Sequence, residues 1–177
     1  MICTTVDSSL PLYRAHTPQW ASQPLSGAGA SRKGGRLNRP GVHALYLSLS
    51  TEGAIAEYTQ DEPLMPPCTV VAYQAQLSSV VDFRSGYDPA SWDPLWQELT
   101  CNWRGMLMLE GVEPPSWSVA DMVIEAGHCG IFYPAQRSRG VNLVVYTDAV
   151  KPPNYLAVHD PGRRLPRDQS SWKQAPS

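Results

Sequence analysis

Charge is scarce in this 177-residue chain, at 17% of residues, and the net charge is −2. A chain so balanced has no general attraction for nucleic acid, so any phosphate binding must come from a local cluster. Only four cysteines occur, Cys3, Cys68, Cys101 and Cys129, with no CxxC pair. That spacing suggests neither a zinc site nor a disulfide framework and fits free thiols in a reducing cytosol. No apolar run approaches the roughly 20 residues that span a bilayer, and the N-terminus lacks the basic-then-apolar pattern of a signal peptide. A soluble, cytoplasmic protein without membrane or nucleic-acid partners is expected. The GxSxG elbow, the HExxH zinc motif and the GxxxxGK[ST] phosphate loop are all missing. The pair Gly27 and Gly29 does not complete a dinucleotide fingerprint, because Arg32 stands at the third glycine position.

Proline and tryptophan, by contrast, are abundant, with 17 and six residues. Proline at that density keeps helices short and turns frequent. Length and composition fit one globular domain, residues 1–177, with its core at about 12–150 and a Pro-rich extension at 151–177. The extension is expected to wrap the surface, and residues 1–11 to form a loose lead-in.

Residues 34–58 carry the densest chemistry. Arg32, Lys33, Arg36 and Arg39 lie within eight positions, interleaved with glycines. Glycine lets backbone approach a ligand, and arginine offers a rigid fork to phosphate oxygens. A solvated basic turn is the plainer reading of those residues alone. Alternation over residues 44–49 predicts a strand, with Leu45, Leu47 and Leu49 on one side and Tyr46 and Ser48 on the other. Ser50 is placed to cap a helix at 51–59, and Glu52 suits its first turn. Glu57 follows one turn beyond Gly53 and Ala54, where small residues leave space beside its carboxylate. Strands are predicted at 12–16, 69–77, 80–83, 130–133 and 141–146. Helices are predicted from Pro94, behind an Asp93 cap, and over 116–127, with Ser118 as cap and Gly127 as stop. Residues 20–31 read as a loop. Trp92, Trp96, Trp103 and Trp117 read as core or lid residues, and Cys129 as a small buried hydrophobe.

A basic glycine loop, an aromatic ring and a carboxylate together suit cleavage of an N-glycosidic bond in a dinucleotide, where a site must stabilise a developing cation. The ordered set Tyr13 and Arg14; Trp20 and Ala21; Gly34, Gly35, Arg36, Leu37 and Asn38; Ala44, Leu45, Tyr46, Leu47 and Ser48; Ala54, Ile55, Ala56 and Glu57 resembles the RES-domain toxins of bacterial type II toxin–antitoxin pairs. The resemblance continues through Gly130, Ile131, Phe132, Tyr133 and Pro134 and through Asn142, Leu143, Val144, Val145 and Tyr146. It implies an α+β fold like that of ADP-ribosyltransferases, with mixed or antiparallel sheets, short helices and an NAD cleft. NAD would be the substrate and no metal would be needed. The implied activity is transfer of ADP-ribose to an intracellular protein. The alternatives are an NAD hydrolase or phosphorylase without a protein acceptor, and a non-catalytic nucleotide- or protein-binding module. Glu57, Arg36 and Tyr46 match the family's catalytic set. Arg14, Arg32, Arg36, Tyr46, Ser48 and Ser138 would contact NAD. The sequence departs from the family at Ala135, where many members carry serine, and Ser138 is the nearest substitute. An antitoxin covering the cleft is the implied protein partner.

Overall fold

The computed structural model describes residues 1–60 and 62–172. Asp61 and the last five positions of the C-terminal extension, 173–177, lie outside the described residues.

A seven-stranded mixed sheet organises the chain, in the order β1-β4-β2-β3-β6-β5, with β7 also paired to β4. The strands are β1 (Cys3–Val6), β2 (Leu12–His16), β3 (Ala44–Ser48), β4 (Thr69–Asp82), β5 (Gly130–Pro134), β6 (Val141–Tyr146) and β7 (Tyr155–Val158). The helices are α1 (Ala28–Lys33), α2 (Thr51–Thr59), the single turn α3 (Trp103–Gly105) and α4 (Ser116–Glu125).

Strand β4 is the spine. Its first half pairs antiparallel with β2, from Leu12 opposite Tyr73 to His16 opposite Thr69, and its last residues pair parallel with β5. Strands β3 and β6 pair along their lengths, from Ala44 opposite Tyr146 to Ser48 opposite Asn142. By contrast β2 and β3 meet at one register pair, Tyr13 opposite Ser48. Beyond that pair the two strands diverge, and the sheet splits open.

Both faces of the sheet are covered, so its strands alternate between two cores. Leu143 and Val145 of β6 and Phe132 of β5 join one core with Leu12, Val71 and Tyr73. Val144, Tyr146, Ile131 and Tyr133 join the other, against Trp92, Trp96, Val119 and Val123. Phe83, Trp92 and Trp96 stack at centroid distances of 4.4 to 5.3 Å.

Six expectations change. The lead-in is ordered as β1 because β4 is long enough to pair with it, Cys3 opposite Val81. Residues 69–82 form one strand rather than two, since the polar Ser78 and Ser79 sit within the ladder instead of breaking it. The loop at 20–31 contains α1, whose last turn carries Arg32 and Lys33. Pro94–Thr100 is a 3-10 helix, capped by Asp93 through Leu95 N–H. Helix α4 starts at Ser116, with no side-chain cap from Ser118, because Ser116 is turned inward to bond the Arg36 carbonyl. The extension contributes β7, with Tyr155 opposite Gln76. Among the described residues, no helix is long and apolar enough to cross a membrane.

Candidate active site

Where β2 and β3 part, a cleft of about 840 Å3 opens, lined by Arg14 of β2 and Tyr46 and Ser48 of β3. Helix α2 covers it from one side. Ser50 is extended and accepts a hydrogen bond from Gly53 N–H at 3.0 Å, which starts the helix abruptly at the end of β3. Gly53 then packs on Ser48, where an added Cβ would lie 3.2 Å from the serine Cβ. Four residues later, on the same helix face, Glu57 enters the cleft.

Glu57 is held there from the sheet. Asn142 Nδ2 donates to Glu57 Oε1 at 2.8 Å, and Ser48 Oγ donates to Asn142 Oδ1 at 2.5 Å. Asn142 and Ser48 are both 3% exposed, so the sheet end of this relay is buried while Glu57 faces the cleft.

The basic loop is not a solvated turn. From Gly35 to Arg39 its groups have structural partners, while Arg32 and Lys33 stay exposed. Asn38 Nδ2 donates to the carbonyls of Ala30, Arg39 and Val42. Trp117 Nε1 donates to the Gly35 carbonyl at 2.6 Å, and Tyr146 hydroxyl to the Leu37 carbonyl at 3.0 Å. Arg39 is committed to α4 and the segment before it, with its Nε and Nη2 on the Asp121 carboxylate and both terminal nitrogens on Glu113. Those two carboxylates raise its pKa above the ordinary arginine value.

Arg36, in contrast, reaches into the cleft. Its Nη1 donates to the carbonyls of Leu99 and Cys101, at 3.0 and 2.9 Å, and its Nη2 donates to Gln136 Oε1. Neutral acceptors orient the guanidinium without cancelling its charge. Burial lowers its pKa, and the surrounding Tyr133, Cys101, Glu57 and Tyr46 oppose that effect. Arg14 is still less satisfied. Its Nη1 is buried with no hydrogen-bond partner among the described residues. Burial lowers its pKa, with Tyr73 and then Tyr46 acting in the opposite direction. A buried polar nitrogen left without a partner costs roughly 1–3 kcal/mol or more.

Tyr46 presents its ring to the cleft, while its hydroxyl is tied back. The hydroxyl donates to Asn38 Oδ1 at 2.7 Å and accepts from Leu37 N–H at 3.0 Å. Burial raises its pKa, against the smaller opposing effects of Leu37 N–H, Arg36 and Arg14. The phenol is therefore neutral at physiological pH.

The structure thus brings Arg14, Arg36, Tyr46, Ser48 and Glu57 around one cavity. It does not bring Arg32 or Ser138 there. Arg32 is exposed on α1, and Ser138 Oγ is buried in the 135–140 turn, away from the cleft lining. Gln136, one residue beyond Ala135, lines the wall instead and takes the Arg36 hydrogen bond. Asn142, Gln136 and Arg104 are among the lining residues that sequence reasoning left without a role. The available signal for Asn142 was an amide inside the otherwise apolar strand 141–146. Among the described residues, no group of three or more His, Cys, Asp or Glu side chains could hold a metal ion.

A split mixed sheet with short helices and a polar, cationic cleft at the split is an α+β fold, consistent with the ADP-ribosyltransferase-like fold expected from the sequence. The chain belongs to the RES domain family, whose sequence pattern matches residues 11–168. One chain of the crystal structure of the M. tuberculosis MbcT–MbcA toxin–antitoxin complex shares the fold at a TM-score of 0.59. That match has 21% sequence identity and covers 90% of this chain and 84% of that chain. No curated protein sequence matches this one.

Proposed function

We propose that this protein is the toxin of a toxin–antitoxin pair, which cleaves the N-glycosidic bond of NAD and transfers ADP-ribose to a protein of its own cell. The observation that carries the reading is the Glu57 carboxylate, held at 2.8 Å by Asn142 in a cleft whose other walls carry Arg14, Arg36 and Tyr46. Family membership and the likeness to a toxin–antitoxin complex support it.

The chemistry follows from the charges. Breaking the bond between ribose C1′ and the nicotinamide nitrogen sends the bonding electron pair to that nitrogen, and neutral nicotinamide leaves. Positive charge develops on the ribose ring carbon and oxygen. A fixed carboxylate stabilises that charge more than it stabilises the ground state, which is the condition for rate enhancement. In this reading Glu57 accepts a hydrogen bond from a hydroxyl of the nicotinamide ribose. The Tyr46 ring stacks nicotinamide. Arg14, with its unpaired nitrogen, and Arg36 hold the diphosphate. An acceptor side chain then attacks C1′ and gives up its proton.

The test uses NAD labelled in its adenylate phosphate, purified protein and bacterial extract. Label on a discrete protein band, with release of nicotinamide, supports transfer. Nicotinamide release without a labelled band replaces transfer by hydrolysis or phosphorolysis. No turnover of NAD overturns the reading.

A further inference from the structure

In the reading above Asn142 only holds Glu57, but its side chain is bonded at both ends, to Glu57 and to Ser48. We propose that Asn142 is a positioning residue for catalysis: its side-chain amide, locked by Ser48, fixes one oxygen of Glu57 so that the other faces the ribose. This inference rests on the NAD-cleavage reading of the cleft.

The amide has only one workable orientation. Ser48 Oγ donates into Asn142 Oδ1, which leaves the Nδ2 end to meet Glu57 Oε1 at 2.8 Å. A flipped amide would set oxygen against carboxylate. Tyr133 of β5 lies opposite Asn142 in the β5–β6 ladder. Asn142 of β6 is thus flanked across the sheet by Ser48 of β3, which bonds it, and by Tyr133 of β5.

Shape alone does not account for an amide at this position. Its neighbours Leu143, Val144 and Val145 are fully buried and apolar. An apolar residue would continue that run without desolvating polar atoms. A buried polar group is costly unless every bond is made, and this one makes its bonds to a carboxylate in the cleft.

The register explains why the device works. Asn142 lies opposite Ser48 in the β3–β6 ladder, and Gly53 of α2 packs on that same serine. Glu57 sits one helical turn beyond Gly53. Sheet register and helix position thus set the carboxylate relative to Tyr46, two residues before Ser48 on the same face. Ground-state binding depends on the arginines and the tyrosine ring. The carboxylate acts on charge that appears only in the transition state, so its misplacement should lower kcat and leave KM nearly unchanged.

The experiment compares nicotinamide release from NAD by the wild-type full chain, Asn142→Ala, Asn142→Asp and Ser48→Ala, with melting temperature measured for each. Asn142→Ala should lower kcat by about 10- to 100-fold with KM for NAD within about twofold. The near-isosteric Asn142→Asp keeps the shape but replaces the donor with a second carboxylate, and should lose about 100-fold or more. Ser48→Ala frees the amide to rotate, and its loss in kcat should be smaller than that of Asn142→Ala. Should Asn142→Ala fold poorly, Asn142→Asp and Ser48→Ala decide the matter. A wild-type kcat in folded Asn142→Asp, or a raised KM with unchanged kcat in Asn142→Ala, overturns the inference while the NAD reading stands. A wild-type protein that releases no nicotinamide overturns that reading, and the inference with it.

Discussion

Tyr46 serves two ends of one side chain. Its ring faces the cleft, and its hydroxyl bonds Asn38 and Leu37 in the basic loop. The two jobs separate in Tyr46→Phe, which keeps the ring and loses both hydrogen bonds. We expect that variant to lose about 1–2 kcal/mol of stability in denaturant unfolding, with a modest change in the KM for NAD. Tyr46→Ala should raise KM much further, because it removes the stacking face. His16 gives a second residue-scale test. Tyr73 hydroxyl donates to the Pro24 carbonyl at 2.9 Å, so it accepts from His16 Nε2–H at 2.6 Å, and the imidazole is neutral. Burial first, and the Arg14 charge second, lower the His16 pKa from 6.5 to about 4. The unfolded chain therefore binds the proton more readily between those values. Stability from this group is complete above about pH 6.5 and falls as the pH drops toward 4. Melting temperatures across that range should decline less steeply in His16→Gln, which retains a donor for Tyr73.

At the scale of elements, the basic loop is positioned by contacts that leave almost no slack. Gly34 has φ +75°, and a Cβ on Gly35 would lie 2.5 Å from the Tyr46 hydroxyl and 2.6 Å from Asn38 Oδ1. Gly35→Ala should therefore cost about 1–3 kcal/mol and push Tyr46 out of register, with a raised KM measured by nicotinamide release. The elements around the site were legible for definite reasons. The Ser50 cap, Glu52 and the small pair Gly53 and Ala54 marked α2, and the leucine alternation marked β3. Convergence was harder to read. That Arg39 would be committed to Asp121 and Glu113 depends on α4, some 80 residues away in sequence, and composition treats it like Arg36. The same limit hid Asn142, whose partner Glu57 belongs to an element 85 residues earlier. Ser138 was drawn toward the site by its nearness to Ala135, but its hydroxyl is buried in the turn and does not line the cleft.

Over the whole molecule, β4 joins everything to everything else. It pairs with β1, β2, β5 and β7, and the cleft exists because β2 and β5 leave its edge at opposite ends with β3 and β6 between them. Strand β7 closes β4 from Tyr73 to Gln76, and Leu156 and Val158 pack against the core below. Ending the chain after Asn154 would expose that strand edge and the apolar residues beneath it. We expect a loss of about 2–4 kcal/mol in unfolding experiments, together with concentration-dependent self-association visible by size-exclusion chromatography. The central claim is that this scaffold holds the Glu57 carboxylate against a cation forming in NAD. Glu57→Gln tests it most directly, since the amide oxygen can still accept from Asn142 while the charge is gone. Nicotinamide release, measured on protein whose melting temperature matches wild type, should fall by about 100-fold or more. Turnover close to that of the wild type would contradict the account.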